Sequence, residues 1–292
     1  MLVSVAIGNF DGVHLGHQTV LRRAKSVGER LTVVTFWPHP VGVLSPDKAP
    51  KLITDLRTRI DLLRQAGADE IRVVRFNELV ARMSPEEFVQ EFLRPLRPNR
   101  IVVGENFRFG NKASGDAARL AEIGGDSFQV EAVELSAIGG QLTCSSLIRR
   151  ALTEGDVGLA AQHLGRPFQF SGLVVVGDRR GRDLGFPTAN MVVPDDLVVP
   201  ADGVYAGWLS RTDLPSAERL PAAISVGTNP TFDGVERRIE SYVLDRDDLG
   251  LYGLELRVDF VQRLRGQQRF DGVDSLIDQM RRDVARTREL LS

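Results

Sequence analysis

The sequence predicts two folds in succession: a parallel α/β domain in the first half, then an antiparallel β-barrel closed by a terminal helix. Three observations support this prediction. In residues 3–103, short apolar runs alternate with segments of helical periodicity, which is typical of a parallel sheet covered by helices. In residues 168–260, strand-like runs follow one another with turn signals but no helical segment between them. Residues 273–291 carry one apolar stripe at helical spacing.

The composition is that of an ordinary soluble globular protein with about two domains. The 292 residues are enough for two domains of about 150 residues each. The net charge of −2 argues against general binding of nucleic acid or an anionic membrane, because such binding needs a basic face. The sequence carries no signal of an oligomeric state.

The chain shows no membrane-spanning or secretion signal. It has no run of 18 apolar residues, and its N-terminal apolar run lacks a basic region, so we expect a buried strand there. Cys144 is the single cysteine, which excludes an intrachain disulfide and is typical of a reducing cytoplasm. We therefore expect a cytoplasmic protein.

The elements of the first half follow from apolar runs and helix-start signals. Ser84, Pro85 and Glu87 have the spacing of a capped helix start. Gly8, Pro38 and Gly104 each follow a strand end, where ligands bind in such sheets. The predicted strands are residues 3–7, 31–36, 71–76 and 101–103, and the predicted helices are 17–27, 56–66 and 84–93.

In the second half, short helices are predicted at 147–152 and 157–164, and Gly165-Arg166-Pro167 then breaks the pattern. We place the domain boundary there, giving domains 1–165 and 166–292. The predicted barrel strands are 168–176, 203–209, 222–226, 240–244 and 254–260, with a turn among others at 228–230. The terminal helix is expected to bury an apolar stripe, with Arg and Asp on its other face: Val273, Leu276, Ile277, Met280, Val284 and Leu291.

The first candidate site follows the first strand. His14 and His17 are three residues apart, so they share one face if a helix begins there. Backbone N–H groups and the dipole at a helix N-terminus favour a phosphate, to which two imidazoles can donate hydrogen bonds. Asp11 is expected to balance charge, or to bind a hydroxyl or a metal. Spacing alone leaves two alternatives: solvated histidines at a strand–turn–helix junction, and a zinc site that adds His39.

Several segments, in order, resemble the bacterial bifunctional riboflavin kinase/FMN adenylyltransferases, also called FAD synthetases. Residues 8–18 match that family's GxFDGVHxGHQ string, which contains the HxGH signature of nucleotidyltransferases. The strings at 35–40, 104–110 and 145–149 resemble its TFxPHP, GxxFxFG and SSTxIR segments. The resemblance implies a nucleotidyltransferase-type, Rossmann-like first domain. Cys144 and Ser146 depart from the usual Ser and Thr, and we expect Cys144 to be a small packed residue.

By this resemblance, the first domain transfers the adenylyl group of ATP to FMN and releases pyrophosphate. The FMN phosphate is already ionised, so catalysis consists of positioning and charge stabilisation. The resemblance assigns catalytic roles to His14, His17 and Arg149. It places ATP against Gly8, Phe10, Asp11, Gly16, Ser145 and Ser146, and flavin or adenine against Phe36, His39, Asn106 and Phe109. For the two phenylalanines, packing in the core remains an alternative to ligand contact.

The second candidate site is the glycine-spaced basic loop at 177–190. It lacks the Gly-Lys-Ser/Thr of a Walker loop, but its backbone N–H groups can wrap phosphates. Thr188 and Asn190 offer oxygen ligands suited to Mg²⁺. The string GFPTAN at 185–190 resembles the riboflavin kinase PTAN motif, and strings at 203–207, 227–232 and 251–253 match that domain in order. Without the resemblance, the alternative remains that this segment is simply a turn-rich loop of the barrel.

The resemblance makes the second domain an ATP- and Mg²⁺-dependent riboflavin kinase. Glu240 aligns with that family's catalytic Glu, which would accept the proton of the ribityl 5′-hydroxyl as this oxygen attacks the γ-phosphate. The alternative is that Glu240 is a carboxylate at a strand edge without a catalytic role. Arg265 and Phe270 resemble the flavin-proximal loop, although Arg265 as a surface charge stays open. The ATP-binding residues would be Gly181, Gly185, Thr188 and Asn190.

The sequence therefore predicts one enzyme that makes FMN in its second domain and FAD in its first. Two alternatives remain: an enzyme that retains one activity, and a non-catalytic flavin-binding regulator. The regulator is disfavoured because the residues that the chemistry needs are all present: His14, His17, Thr188, Asn190 and Glu240.

Overall fold

The computed structural model describes residues 2–134, 137–177, 181, 184–214, 218–231, 234–246 and 248–292. By contacts, the chain divides into two compact units, Met1–Ser145 and Ser146–Ser292. This division falls just after the first residue of the first of the two helices that precede residue 165.

The first unit is built on a sheet of five parallel strands in the order β3-β2-β1-β4-β5. Its strands are β1 (Val3–Ile7), β2 (Arg30–Trp37), β3 (Glu70–Arg75), β4 (Arg100–Gly104) and β5 (Gln129–Val133). The chain builds outward from β1 to β3, then returns to β4 on the other side of β1. The carboxyl ends of β1 and β4 therefore flank a topological switch point, where ligands bind in open α/β sheets. The predicted parallel α/β fold is confirmed.

Helices cover both faces of this sheet because successive strand residues point to opposite sides. Val5 and Ile7 belong to one buried cluster and Ala6 to the other. Ser84 and Glu87 form the predicted capping box. The helices are α1 (Leu15–Ser26), α2 (Pro40–Leu44), α3 (Leu56–Gln65), α4 (Glu78–Arg82), α5 (Pro85–Phe88) and α6 (Ala117–Gly124), and a small hairpin of β6 (Ala137–Ile138) and β7 (Gln141–Leu142) follows β5.

The second unit is a closed six-stranded antiparallel barrel in the order β10-β11-β12-β9-β8-β13, as predicted. Two helices, α7 (Ser145–Glu154) and α8 (Val157–Leu164), precede it. The strands are β8 (Phe168–Val175), β9 (Thr188–Val192), β10 (Gly203–Arg211), β11 (Leu220–Thr231), β12 (Gly234–Val243) and β13 (Glu255–Arg265), and the terminal helix is α9 (Val273–Leu291). Within the described ranges, no helix has both the length and the apolar character needed to cross a bilayer.

Two segments predicted as irregular are strands. Thr188 and Asn190, assigned to a phosphate loop, lie on β9 and pair with Tyr242 and Glu240 of β12. The turn predicted at 228–230 lies inside β11, which pairs with β12 over ten positions. In both places, pairing with β12 supplies backbone hydrogen bonds that outweigh the local preference of Thr, Asn and Pro for turns.

The terminal helix keeps five residues of the predicted stripe half-buried but differs from the prediction at three other positions. Val273 is 56% exposed, whereas Asp283 is 6% exposed and Thr287 is fully buried. The expectation that every Asp lies on the outer face was therefore wrong. Asp283 tolerates burial because it forms an ion pair with Arg265 of β13.

Two candidate active sites

The histidine pair lies at the start of α1, beside the carboxyl end of β1. The two imidazole rings are stacked, with centroids 3.5 Å apart and an interplanar angle of 16°. His14 is the N-cap, and its Nδ1 accepts the backbone N–H of His17 at 3.2 Å. An accepting Nδ1 carries no proton, so the proton of the neutral His14 ring is on Nε2. The N-terminus of a twelve-residue helix thus presents a fixed imidazole donor where the helix dipole favours an anion.

A buried ion pair fixes the loop between β1 and α1. Asp11 and Arg59 are 1% and 0% exposed, and Arg59 Nη2 lies 3.3 Å from Asp11 Oδ1. The Asp11 carboxylate also accepts hydrogen bonds from the backbone N–H groups of Ile53 and Thr54. Arg59 Nη1 donates to the carbonyl of Asn9 at 3.0 Å. Of the roles considered for Asp11, the structure supports charge balance.

This ion pair holds backbone that is strained. Phe10 and Val13 have φ values of 51° and 42°, and Gly12 lies between them at 85°. Non-glycine residues rarely adopt this left-handed region, and each such residue costs of the order of 1 kcal/mol or more unless its surroundings hold it. The bonds from Arg59 and Asp11 supply that restraint, so they shape the loop that leads to the histidine pair.

We expect Arg59→Met to destabilise the first unit by about 3–5 kcal/mol, because it leaves the Asp11 carboxylate buried without its cation. Hydrogen exchange of the β1 amides measures this loss in the intact chain. Arg64→Met is the matched control on the same helix. Arg64 pairs with Asp61 at the surface and is 68% exposed, so that change should cost less than about 0.5 kcal/mol. Equal protection of β1 in both variants would contradict the expected role of the pair.

The pKa of His17 lies well below its usual value, chiefly because burial disfavours the charged ring, with further contributions from His14 and Arg59. His17 is therefore neutral at pH 7. The unfolded chain binds this proton near pH 6.5, whereas the folded chain resists it. We expect the free energy of unfolding to fall as the pH drops below about 6.5, down to the folded pKa of His17. Urea titrations measure the free energy of unfolding at pH 7.5 and at pH 5.5. The difference between these two values should be smaller for His17→Gln than for the wild type.

Ser145, the first residue of the predicted SSLIR segment, contacts the loop that precedes the histidine pair. Ser145 Oγ donates to the carbonyl of Asp11 at 3.0 Å. A Cβ on Gly16 would lie 3.2 Å from the His14 ring and 3.3 Å from the Thr143 carbonyl, so a larger residue would push against both. Ser146 and Arg149 follow on α7, where Arg149 shares a helix face with Ser145.

The predicted flavin-contacting residues of the first site fall into two groups. Phe36 and Phe109 are buried in one core cluster, as the core-packing alternative expected. Asn106 is exposed, and His39 caps α2 by accepting the N–H of Val41. Across the described residues, no three His, Cys, Asp or Glu side chains are placed to hold a metal.

Cys144 is exposed, so the expectation of a small packed residue was wrong. It is the residue that directly precedes α7. The neighbouring Thr143 occupies the buried position instead, with 1% exposure.

The second candidate site lies on β9 and β12. Thr188 Oγ1 is 3.5 Å from Glu240 Oε2. Asn190 Nδ2 donates to Thr188 Oγ1 at 3.1 Å. A Cβ at Gly177 would lie 2.6 Å from the Asn190 amide carbon, so only glycine leaves room for this side chain. Pairing of β9 with β12 therefore brings together the Thr188 hydroxyl, the Asn190 amide and the Glu240 carboxylate.

Two cavities adjoin this cluster. The larger has a volume of about 240 Å³ and a mainly apolar lining that includes Phe186, Glu240 and Phe270. The smaller has a volume of about 70 Å³ and a lining that includes Asn190, Leu251 and Tyr252. Thr188 lines both cavities. Two ligands in these cavities would thus meet beside Thr188.

The glycines of the predicted loop shape the entry to β9. The Gly181 carbonyl accepts the N–H of Phe186 at 2.7 Å, and a Cβ on Gly181 would lie 2.5 Å from the Phe186 carbonyl oxygen. Gly185 has a φ of 85°, which favours glycine. The remaining basic part of this loop, at 178–180 and 182–183, lies outside the described residues.

Arg265 is not a solvated surface charge. Its guanidinium forms an ion pair with Asp283 and lies 5.8 Å from the ring centroid of Phe270. All three residues line the larger cavity. The structure thus brings the two predicted flavin-contacting residues of this half together.

Two family models match the chain one after the other: FAD synthetase over residues 2–147 and riboflavin kinase over residues 164–291. Relatives described as bifunctional riboflavin kinase/FMN adenylyltransferase are similar almost end to end. That of Listeria monocytogenes is 38% identical over 97% of this chain and 91% of its own length. That of Escherichia coli K12 is 36% identical over 98% and 91%. The chain belongs to the bifunctional riboflavin kinase/FMN adenylyltransferase family.

A solved structure supports the fold of this bifunctional family. It is described as a macrolide-efflux protein from Streptococcus pneumoniae, is 32% identical and has a TM-score of 0.88. The match covers 98% of this chain and 94% of that one. The predicted family and its pair of activities are confirmed by these comparisons.

Sequence reasoning missed two residues near the sites of this bifunctional family member. Arg59 lies on the buried face of α3 with Leu62 and Leu63. Asp283 lies on the buried face of α9 with Thr287. In each case the sequence does carry a signal: a charged residue at an i, i+3 or i+4 position of an otherwise buried stripe. A charge buried in this way requires an opposite charge nearby.

Proposed function

We propose that residues 166–292 phosphorylate riboflavin to FMN and that residues 1–165 adenylylate FMN to FAD, with ATP as the co-substrate of both steps. The observation that carries the kinase assignment is the place of Thr188, which lines both cavities and lies 3.5 Å from Glu240. A phosphoryl donor and an alcohol acceptor need such a meeting point beside a base. The stacked histidine pair at the switch point supports the adenylyltransferase assignment.

In the kinase step, the larger cavity holds the apolar flavin ring, and the phosphate end of the nucleotide lies at the smaller one. Gly181, Gly185, Thr188 and Asn190 face the phosphates. Glu240 accepts the proton of the 5′-hydroxyl while that oxygen bonds to the γ-phosphorus. The bond from this phosphorus to the β,γ-bridging oxygen breaks, and ADP leaves.

Thr188 and Asn190 would hold Mg²⁺ together with the ATP phosphates. Their hydroxyl and amide oxygens fit the ion, which prefers hard oxygen ligands and takes few from protein when phosphates are present. When bound, Mg²⁺ supplies positive charge that stabilises the phosphates. The contact between Asn190 and Thr188 keeps these two ligands on one side of β9.

In the adenylyl-transfer step, the FMN phosphate oxygen bonds to the α-phosphorus of ATP, and the bond to the α,β-bridging oxygen breaks to release pyrophosphate. His14, through its Nε2–H, and the neutral His17 donate to the phosphates. Arg149 balances the charge of the leaving pyrophosphate, with Ser145 and Ser146 as further donors. Gly8, Phe10 and Gly16 bring backbone close to ATP, while Asp11 acts by holding their loop.

His39 and Asn106 border the flavin or adenine of this step. Phe36 and Phe109 support them from the core. We propose that the partners of the protein are these small molecules alone, without nucleic acid or membrane, and that the protein works in the cytoplasm. The net charge of −2 and the single cysteine support that assignment.

Incubation with riboflavin, ATP and Mg²⁺, followed by chromatography, tests both assignments. FMN should form first and FAD after it. Formation of FMN without FAD would support the kinase assignment and contradict the adenylyltransferase assignment. Neither product would favour a flavin-binding regulator.

A further inference from the structure

The terminal helix α9 places a carboxylate against the wall of the larger cavity. Asp283 is 6% exposed, and it lines the cavity together with Leu276, Met280 and Val284 of the same helix. A buried carboxylate among apolar side chains needs a compensating cation and hydrogen-bond donors. Its partners therefore show what this residue does in the site.

The Asp283 carboxylate is held by two side chains. Arg265 Nε lies 3.1 and 3.0 Å from its two oxygens, and Arg265 Nη2 donates to Oδ2 at 2.7 Å. Gln279 Nε2 donates to Oδ1 at 2.9 Å. This side-on geometry fixes the plane of the guanidinium, not merely its distance.

The described hydrogen bonds of the fixed guanidinium do not use all of its N–H groups. Arg265 Nη1 gives one hydrogen bond to the Gly266 carbonyl, and Nη2 gives one to Asp283. Each of these nitrogens has two N–H groups, so these bonds leave one N–H on each. The guanidinium carbon lies 5.8 Å from the Phe270 ring centroid. A planar ligand with carbonyl oxygens would find a donor and an aromatic face side by side.

The ion pair also cancels the charge of one part of the cavity wall, and Glu240 is the remaining charged residue among the lining residues described. Arg265 and Asp283 together are neutral, which suits an uncharged ring system. Arg265 alone would present an uncompensated cation to a largely apolar cavity, and its side chain would be free to leave for solvent.

We propose that Asp283 is a positioning residue for riboflavin, which fixes the Arg265 guanidinium beside Phe270 and makes α9 part of the flavin site. This inference rests on the proposed kinase function. Asp283 acts through Arg265 and takes no part in phosphoryl transfer at Thr188 and Glu240.

The test is the isosteric Asp283→Asn variant of the full chain. We expect the KM for riboflavin to rise about tenfold, the size of one lost charge-assisted hydrogen bond. The kcat and the KM for ATP should stay within about twofold, because the reacting groups are untouched. Quenching of riboflavin fluorescence should show the same loss of affinity. A merely structural role would move all of these quantities together.

Two comparisons make the test specific. Asp245→Asn breaks the exposed ion pair between Asp245 and Arg288, which also ties α9 to the barrel, and it should leave the KM for riboflavin unchanged. In a variant that already carries Arg265→Gln, Asp283→Asn should raise the KM for riboflavin by less than about twofold more, because the two residues act as one unit. Additive effects, or an equal rise in KM for Asp245→Asn, would overturn the proposal.

The outcomes separate this inference from the proposed function. A wild type that makes FMN, with an Asp283→Asn variant of unaltered KM, overturns only the positioning role. A wild type that makes no FMN overturns the kinase assignment itself.

Discussion

Glu240→Gln should stop riboflavin phosphorylation and leave the adenylylation of supplied FMN intact. The amide keeps the shape of the side chain but cannot accept the hydroxyl proton. Loss of a general base lowers kcat by about 10²–10⁴-fold. Glu240 lines the larger cavity, and its Oε2 lies 3.5 Å from the Oγ1 of Thr188, which lines both cavities. Among the described side-chain hydrogen bonds, no other carboxylate contacts Thr188. Formation of FMN from riboflavin, followed by chromatography, measures the effect.

The matched control is Glu236→Gln. Glu236 lies four residues earlier on β12 and pairs with Arg238, so its loss should leave the kinase unchanged. FAD formation from added FMN reports in the same sample that the first domain is intact. Kinase activity that persists in Glu240→Gln would remove the general-base role.

His17→Ala should lower FAD formation from FMN by about 10²–10³-fold, as for the loss of one donor to the transition state. Its ring stacks on His14, and its own backbone N–H fixes the His14 tautomer. Alanine keeps this backbone N–H, so the substitution removes one imidazole and, for the other, only its stacking contact. FMN formation from riboflavin should be unchanged, because the kinase residues lie in the other unit.

Arg22→Gln is the control for helix α1. Arg22 is an exposed residue of that helix and donates only to Thr19 among its described hydrogen bonds. It should leave both activities unchanged. If His17→Ala abolishes both reactions in a folded chain, the assignment of the two steps to separate domains is wrong.

Local patterns predicted much of this molecule correctly. The apolar run of β1, the capping box of Ser84 and the HxGH spacing before α1 each depend on neighbours within a few residues. Such signals survive folding because the interactions behind them are short-range. The strand character of β9 was hidden for the opposite reason, since Thr188 and Asn190 have turn preferences that only pairing with β12 overrides.

The sequence by itself determined the two fold classes and their order, and it pointed to the residues for which we propose phosphate chemistry: the histidine pair, Thr188, Asn190 and Glu240. Only the tertiary structure decided which charges are buried together. Arg59 meets Asp11 across 48 positions, and Arg265 meets Asp283 across 18. The energy of a buried charge depends on the partner that folding brings beside it, and no local pattern encodes that partner.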